Sequence, residues 1–265
     1  MRDLSNEIVE QFNKNGISYL QFRELSKLGI KHAYILKCDG FEFKYRGRTA
    51  KKEEIEKAYK PVCEMLDLEY DNLILPIQRH TDNIRYIDKI YERFLLGGVD
   101  GLVTDKKDLV LATTNADCIL YLLYDKRKKV IGNIHSGWRG SYQRIIEKSI
   151  EKMINDFNCS PDDILVCVCP SIRKCCFEVD KDVKDMFYEK FSFLENIDDF
   201  ILNGYKTEKY FIDTVGINKC LLIKKGINPE NIYDSNICSL CNNDLIHSYR
   251  GEGAEYSLCT AIISL

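Results

Sequence analysis

Apolar residues come in short, dense runs through the middle of the chain, and charged turns separate them. Residues 101–104, 109–113, 119–124 and 129–135 are such runs, broken most plainly at Asp125-Lys126-Arg127-Lys128. Runs of this length predict strands, and the basic stretch 126–129 reads as a solvated hairpin tip. The period then changes. Over residues 141–157, Ile146, Ile150, Met153, Ile154 and Phe157 fall on one stripe, which predicts an amphipathic helix. Residues 164–169 predict another buried strand, with Cys167 and Cys169 as core positions. Residues 180–191 and 214–225 predict helices, the second stopping where Gly226 suits a C-cap. A short strand is expected at 232–234, and the tail 255–265 ends in another.

The first seventy residues are less regular. Residues 1–30 are polar with scattered apolar positions, ending at Gly29. Residues 32–36 and 41–45 predict short strands, with a hairpin turn at Asp39-Gly40. Ile55, Ala58, Val62 and Leu66 recur at helical spacing and predict a helix over 51–66, and residues 73–76 start a strand that leads into Gln78 and His80. Strands and helices are mixed without regular alternation. The expected fold class is therefore α+β, with layered mixed β-sheets and outer helices, built as a single domain over residues 1–265 with a less typical part at 1–70.

Composition narrows the possible roles. A net charge of −3 over 265 residues gives no basic footprint, so nucleic acid is not an expected partner. No apolar run has the length to span a membrane, and Met1-Arg2-Asp3-Leu4-Ser5 does not open as a signal peptide, so a cytoplasmic location is expected. The 12 cysteines are read as reduced thiols, because a chain this long does not need disulfide staples. Cys238-Ser239-Leu240-Cys241 is a CxxC with no second CxxC, which makes it weak as a zinc or redox motif.

Three segments carry candidate chemistry: Gln78-Arg79-His80, Asn115-Ala116-Asp117-Cys118 and His135-Ser136-Gly137-Trp138-Arg139-Gly140. The chain has only 4 histidines, and two of them lie in these segments. His80, Cys118 and His135 offer three corners of a tetrahedral site, with the fourth free for water or substrate, as in a catalytic zinc. Their separations are not those of a zinc finger, so only tertiary folding can bring them together. Gln78 shares an extended face with His80 and is expected in the same cleft. Asp117 is expected on the opposite side or at the rim. Arg139 offers a planar fork for phosphate or carboxylate. Ser141 reads as the N-cap of the following helix, whose free N–H groups would favour an anion. Trp138 is read as packing or as one wall of a pocket. His32, alone on an apolar strand, is read as a hydrogen-bonded core residue.

These motifs, together with Asp100-Gly101-Leu102-Val103-Thr104, Pro170-Ser171-Ile172, Cys176-Phe177-Glu178-Val179, Asp213 with Asn218, and Ser248-Tyr249-Arg250, resemble the YfiH/laccase-domain-containing family. The resemblance runs from about Leu75 to Arg250. It implies a layered α+β fold, also likened to Cys–His toxin deamidases. It implies His80, Cys118 and His135 as ligands of zinc or, alternatively, copper. It implies purine nucleosides and phosphate as partners, in phosphorolysis of adenosine, inosine, guanosine and methylthioadenosine, with adenosine deamination as a further activity. Cys118, His135 and Asp117 are then the candidate catalytic residues, Gln78, Arg139, Ser141 and Arg250 the candidate substrate contacts, and a monomer or homodimer the expected assembly.

The chain departs from the family pattern at Thr81, where glycine is usual, at Lys37-Cys38-Asp39-Gly40, at His247, and at Ala254-Glu255-Tyr256-Ser257. The zinc-deaminase signature H-x-E with P-C-x-x-C is absent, so deamination would run on a different scaffold. A multicopper oxidase needs more imidazoles than the chain has, and a copper-dependent, laccase-like polyphenol oxidase with a single copper on two His and one Cys is an alternative reading. A metal-free hydrolase with Cys118 as nucleophile and His135 as its base, and a non-catalytic nucleoside-binding protein, are the other readings.

Overall fold

The computed structural model describes residues 2–44, 52–90 and 96–265. In chain order the strands are β1 (Val9–Lys14), β2 (Ile17–Phe22), β3 (Lys31–Ile35), β4 (Leu73–Ile74), β5 (Ile84–Tyr86), β6 (Gly101–Thr104), β7 (Val110–Asn115), β8 (Ile119–Asp125), β9 (Val130–Ser136), β10 (Ile164–Val168), β11 (Glu178–Asp180), β12 (Ile201–Asn203), β13 (Lys209–Ile212), β14 (Ile232–Asp234) and β15 (Cys259–Ser264). The helices are α1 (Arg23–Lys27), α2 (Lys52–Met65), α3 (Trp138–Tyr142), α4 (Ile145–Phe157), α5 (Lys181–Lys190), α6 (Ile197–Phe200), α7 (Thr214–Lys224) and α8 (Tyr249–Glu252). One six-stranded sheet runs β1-β2-β3-β15-β7-β4, a second runs β14-β10-β8-β9-β6-β5, and a small third runs β11-β13-β12. No helix among the described residues is long and apolar enough to cross a membrane.

The layered α+β architecture follows from how each strand divides its side chains. Leu120, Leu122 and Tyr124 of β8 point between the two large sheets, with Leu111 and Ile263 from the other side. The alternate residues Ile119, Tyr121 and Leu123 point outward onto Ile146, Ile150 and Met153 of α4. Both faces of β8 are covered, which is why its sequence is an unbroken apolar run. On the far side, Ile35, Val110 and Ile262 pack on Ile55, Tyr59 and Val62 of α2. The order is helix, sheet, sheet, helix. Asn133 of β9 fixes how the sheets sit on one another: its Nδ2 donates to Leu111 O at 3.0 Å and to Ala261 O at 2.8 Å.

Several elements differ from expectation. Residues 1–30 hold a hairpin and a short helix rather than irregular chain: β1 and β2 pair antiparallel with Lys14 opposite Ile17. The turn is Asn15-Gly16, with φ of 55° and 80°. Positive φ at both positions is the two-residue turn that Asn-Gly favours, so this signal was present in the sequence. The strand near His32 pairs with β2 and β15, not with residues 41–44, which form no strand. Tyr45, the last residue of the predicted strand 41–45, and Lys51, the first of the predicted helix 51–66, lie outside the described residues. The helix expected over 141–157 is two helices, because Arg144 takes a left-handed conformation (φ 64°) between them.

His32 is a core residue, as read. Its Nε2 accepts from Phe22 N at 2.7 Å and its Nδ1 donates to Ile30 O at 2.9 Å. Burial pushes its pKa down to about 4, and a proton on Nε2 would also displace the Phe22 bond. The unfolded chain takes up this proton below pH ~6.5 and the folded one only below about 4, so stability falls as pH drops through that window. Denaturant melts are expected to show about 2 kcal/mol lost between pH 7 and pH 5 through this residue, and His32→Gln should flatten that part of the profile. An unchanged slope in the variant would reject the assignment.

Candidate active site

Two connections carry the chain from the first large sheet to the second. One joins β4 to β5 and holds Gln78 and His80, and the other joins β7 to β8 and holds Asp117 and Cys118. Cys118 falls in phase with Leu120 and Leu122, and His135 in phase with Asn133, so both face the space between the sheets. Leu120 lies opposite His135 in the ladder, one step beyond Cys118. The β7–β8 turn is held by Asn115, whose Nδ2 donates to Cys118 O at 2.5 Å and Pro170 O at 3.0 Å, while Tyr34 OH donates to its Oδ1. Asp117 sits in the left-handed region at φ 79°.

Folding brings His80, Cys118 and His135 together. Their donor atoms lie within 4.8 Å of one another. Cys118 Sγ is 3.7 Å from His80 Nε2, and the two imidazoles meet edge to face with centroids 4.9 Å apart. Gly137 makes this possible: a Cβ there would stand 2.5 Å from His80 Cδ2 and 3.1 Å from Cys118 Sγ. A side chain at that position would push into the donor set.

Asp100, fully buried, organises the site from behind. Its carboxylate accepts from the backbone N–H groups of Arg79 (3.2 Å), His80 (3.0 Å) and Thr81 (2.8 Å), and from Thr81 Oγ1 at 2.7 Å. It also accepts from His135 Nδ1 at 2.8 Å. That bond leaves His135 Nε2 as the free donor atom. Burial opposes a charge on Asp100, but the bonds from His135 and Thr81 override it and hold the pKa at about 2. Around Cys118 the balance is similar. Burial would raise the thiol, yet His135 and His80 bring it down to about 6. His135 rises to about 9 against its own burial, through Cys118 and Asp100. The pair favours thiolate beside imidazolium.

These groups open onto a pocket of about 620 Å³ whose walls include Gln78, Trp138, Arg139, Phe177, Tyr249 and Arg250. The Arg139 guanidinium lies over Trp138, 4.3 Å from the ring centroid, and that of Arg250 lies 5.7 Å from Phe177. Lys44 Nζ stands 3.7 Å over Tyr256, another lining residue. The rim is thus cationic and aromatic together.

The remaining predicted residues hold the walls. Gln78 lines the pocket, but its amide pairs with the backbone of Thr114, donating at 2.8 Å and accepting at 2.9 Å. Asp117 also lines the pocket, with both oxygens engaged: Oδ1 accepts from Ser239 Oγ at 2.6 Å and Oδ2 from Arg250 N at 2.8 Å. Ser141 is not the N-cap expected of it. Gly137 caps α3, and Ser141 lies inside that helix, buried away from the pocket walls. Its hydroxyl lies 3.0 Å from Ser136 Oγ and accepts from Asn218 Nδ2 at 2.9 Å. Sequence reasoning gave Asp100 and Lys44 no place in the site, and held Gly137 and Asn115 only as members of the candidate segments. Asp100 was in view only as the first residue of a motif, an acid directly before an apolar strand.

The fold matches that of solved proteins. A hypothetical protein YfiH of Bacillus licheniformis superposes with a TM-score of 0.84 at 24% identity, covering 95% of this chain and 100% of that one. YlmD of Geobacillus stearothermophilus gives 0.83 at 21% identity, covering 98% and 99%. A family profile described as multi-copper polyphenol oxidoreductase laccase matches residues 44–265, and the chain belongs to that family. Among its relatives, an adenosine deaminase RL5 from an unknown prokaryotic organism is 31% identical over 195 residues, 71% of this chain and 73% of the relative. A purine nucleoside phosphorylase of Clostridium acetobutylicum is 34% identical over 177 residues, 66% and 70% of the two chains.

Proposed function

We propose that this chain is a metal-dependent purine nucleoside phosphorylase, acting on adenosine, inosine, guanosine or methylthioadenosine, with adenosine deamination as a second activity of the same pocket. The observation that carries the reading is a single pocket joining the His80–Cys118–His135 donor set to a cationic and aromatic rim. Its volume of about 620 Å³ suits a ligand of nucleoside size. Relatives named for nucleoside chemistry support this substrate class.

The donor set fits a metal ion. Two imidazole nitrogens and a sulfur converge, the thiol is already biased toward thiolate, and Asp100 orients His135. His80, Cys118 and His135 would hold zinc, or copper, which the same soft donors accept. When bound, the ion would supply Lewis acidity toward the substrate or a water. The chain's own residues do the rest. Trp138, Phe177 and Tyr249 offer flat faces to the purine. Arg139 and Arg250 offer guanidinium forks to phosphate, and to negative charge that builds as the glycosidic bond breaks. Asp117, with both oxygens occupied, acts as a positioning residue that holds the Arg250 backbone. Gln78 fixes the opposite wall, and Ser141 supports the α3 turn from behind.

The Cys118–His135–Asp100 sequence of contacts also favours a second reading, a metal-free thiolate nucleophile oriented by the histidine. An oxidase with several coppers lacks imidazoles: His32 is bound within the core and His247 pairs with Glu252 at 3.0 Å. The test is to incubate the protein with each nucleoside, with and without phosphate, and separate the products. Free purine base formed only with phosphate supports phosphorolysis, and inosine from adenosine supports deamination. If neither product forms, the proposal is overturned. Activity that survives a chelator but not a thiol-alkylating reagent moves the reading to the thiolate nucleophile.

A further inference from the structure

The CxxC that stands alone in the sequence does not stand alone in the fold. β10 and β14 are parallel neighbours, and their alignment continues past the strand ends, where Ser171 bridges Cys238. Ser239 N donates to Ser171 O at 3.0 Å and Ser171 N to Ile237 O at 3.2 Å. The turns that follow the two strands are thus held side by side. One carries Cys175 and Cys176, the other Cys238 and Cys241. Their four sulfurs lie within 4.8 Å of one another. Cys176 Sγ is 3.4 Å and Cys175 Sγ 3.8 Å from Cys241 Sγ.

Four thiolates around zinc at about 2.3 Å define a tetrahedron whose edges are about 3.8 Å, so the spacing is that of a closed S4 site. Cys238 Sγ also faces the backbone N–H groups of Cys241 and Arg173, donors that stabilise thiolate charge without competing for the ion. Two of the four cysteines are exposed and one is buried, so an ion has a way in and a firm inner ligand. The site lies apart from the first donor set and shares no residue with it.

We propose that Cys175, Cys176, Cys238 and Cys241 form a tetrathiolate zinc site that fixes one wall of the pocket. The consequence for the pocket is direct. Ser239, between the two CxxC cysteines, donates to Asp117, and Ile172, just before Cys175-Cys176 in the chain, donates through its N–H to Asp117 O at 2.9 Å. Asp117 in turn holds Arg250 and adjoins Cys118. A closed site at these turns ties the wall together from outside without joining the chemistry.

The test reads metal, not turnover, and so stands independently of the nucleoside assignment. A His80→Ala/Cys118→Ala double variant of the full chain removes the first donor set. Purified with zinc and dialysed, it is expected to keep one zinc per chain. Adding Cys175→Ser and Cys241→Ser is expected to remove it. Should that variant not fold, cobalt replaces zinc in the double variant. Strong sulfur-to-cobalt charge-transfer absorption, with tetrahedral visible bands, then supports the site. No metal in the folded double variant would overturn the proposal. So would an intact mass two hydrogens light for each cysteine pair, which marks disulfides instead.

Discussion

Cys118→Ser is expected to lower kcat/KM for the nucleoside reaction by about 10³-fold or more, a loss of about 4 kcal/mol in transition-state stabilisation. The exchange is nearly isosteric, so the backbone turn held by Asn115 should survive and circular dichroism should not change. What changes is the donor. The thiol, held at about 6 by its histidine neighbours, is largely ionised at neutral pH. A serine hydroxyl is not, and it replaces a soft anionic donor with a neutral oxygen. Zinc bound by the His80–Cys118–His135 set should fall with activity, measured as metal per chain alongside steady-state kinetics. A serine variant with wild-type kcat/KM would remove Cys118 from the chemistry under both the metal and the thiolate readings.

Asp100→Asn is the second large effect, and it acts on both structure and site. One carboxylate accepts from three backbone N–H groups, a hydroxyl and an imidazole. An amide supplies one acceptor oxygen and turns an NH₂ toward groups that are themselves donors. The cost of such buried mismatches is about 2–4 kcal/mol of stability, read from denaturant unfolding. His135 loses its charged partner, and the 79–81 loop loses the group it wraps. Affinity for zinc at the first donor set should drop about 10–100-fold, the range for removing a partner of a ligating histidine. If stability falls but zinc affinity does not, Asp100 is a loop anchor and does not position the donor set.

Much of the fold was legible because the central strands are buried on both sides. The runs around Leu120, Ile131 and Val166 need no alternation to be recognised, and their irregular order with helices points to layers. The first thirty residues were harder to read. The strands around Asn15-Gly16 are half-polar, and only the turn chemistry announces them. The small sheet of β11, β12 and β13 was missed for a similar reason: its strands are short and partly exposed. At the site, scarce imidazoles beside a thiol at strand tips suggested His80, Cys118 and His135 as a candidate centre, the family resemblance strengthened that reading, and the fold brings the three donor atoms together. Residue types did not suffice for Asp100, whose role is its burial, or for Gly137, whose role is the absence of a side chain. Ser141 shows the opposite error. A serine before an apolar stripe reads as a cap, but the left-handed Arg144 moves the true helix start beyond it. Cys175-Cys176 and Cys238-x-x-Cys241 could be joined only by knowing that β10 and β14 are neighbours.

Two of the three converging ligand atoms ride on segments that pass from one large sheet to the other, while the third is fixed to the second sheet alone. Their mutual distances therefore gauge how far one sheet has slid against its neighbour, and a displacement of an ångström or two would scatter them. The three side chains can meet only once the sheets have docked, so a metal centre built on them would form late in folding. The apolar layer beneath it would then assemble before any ion could be held there.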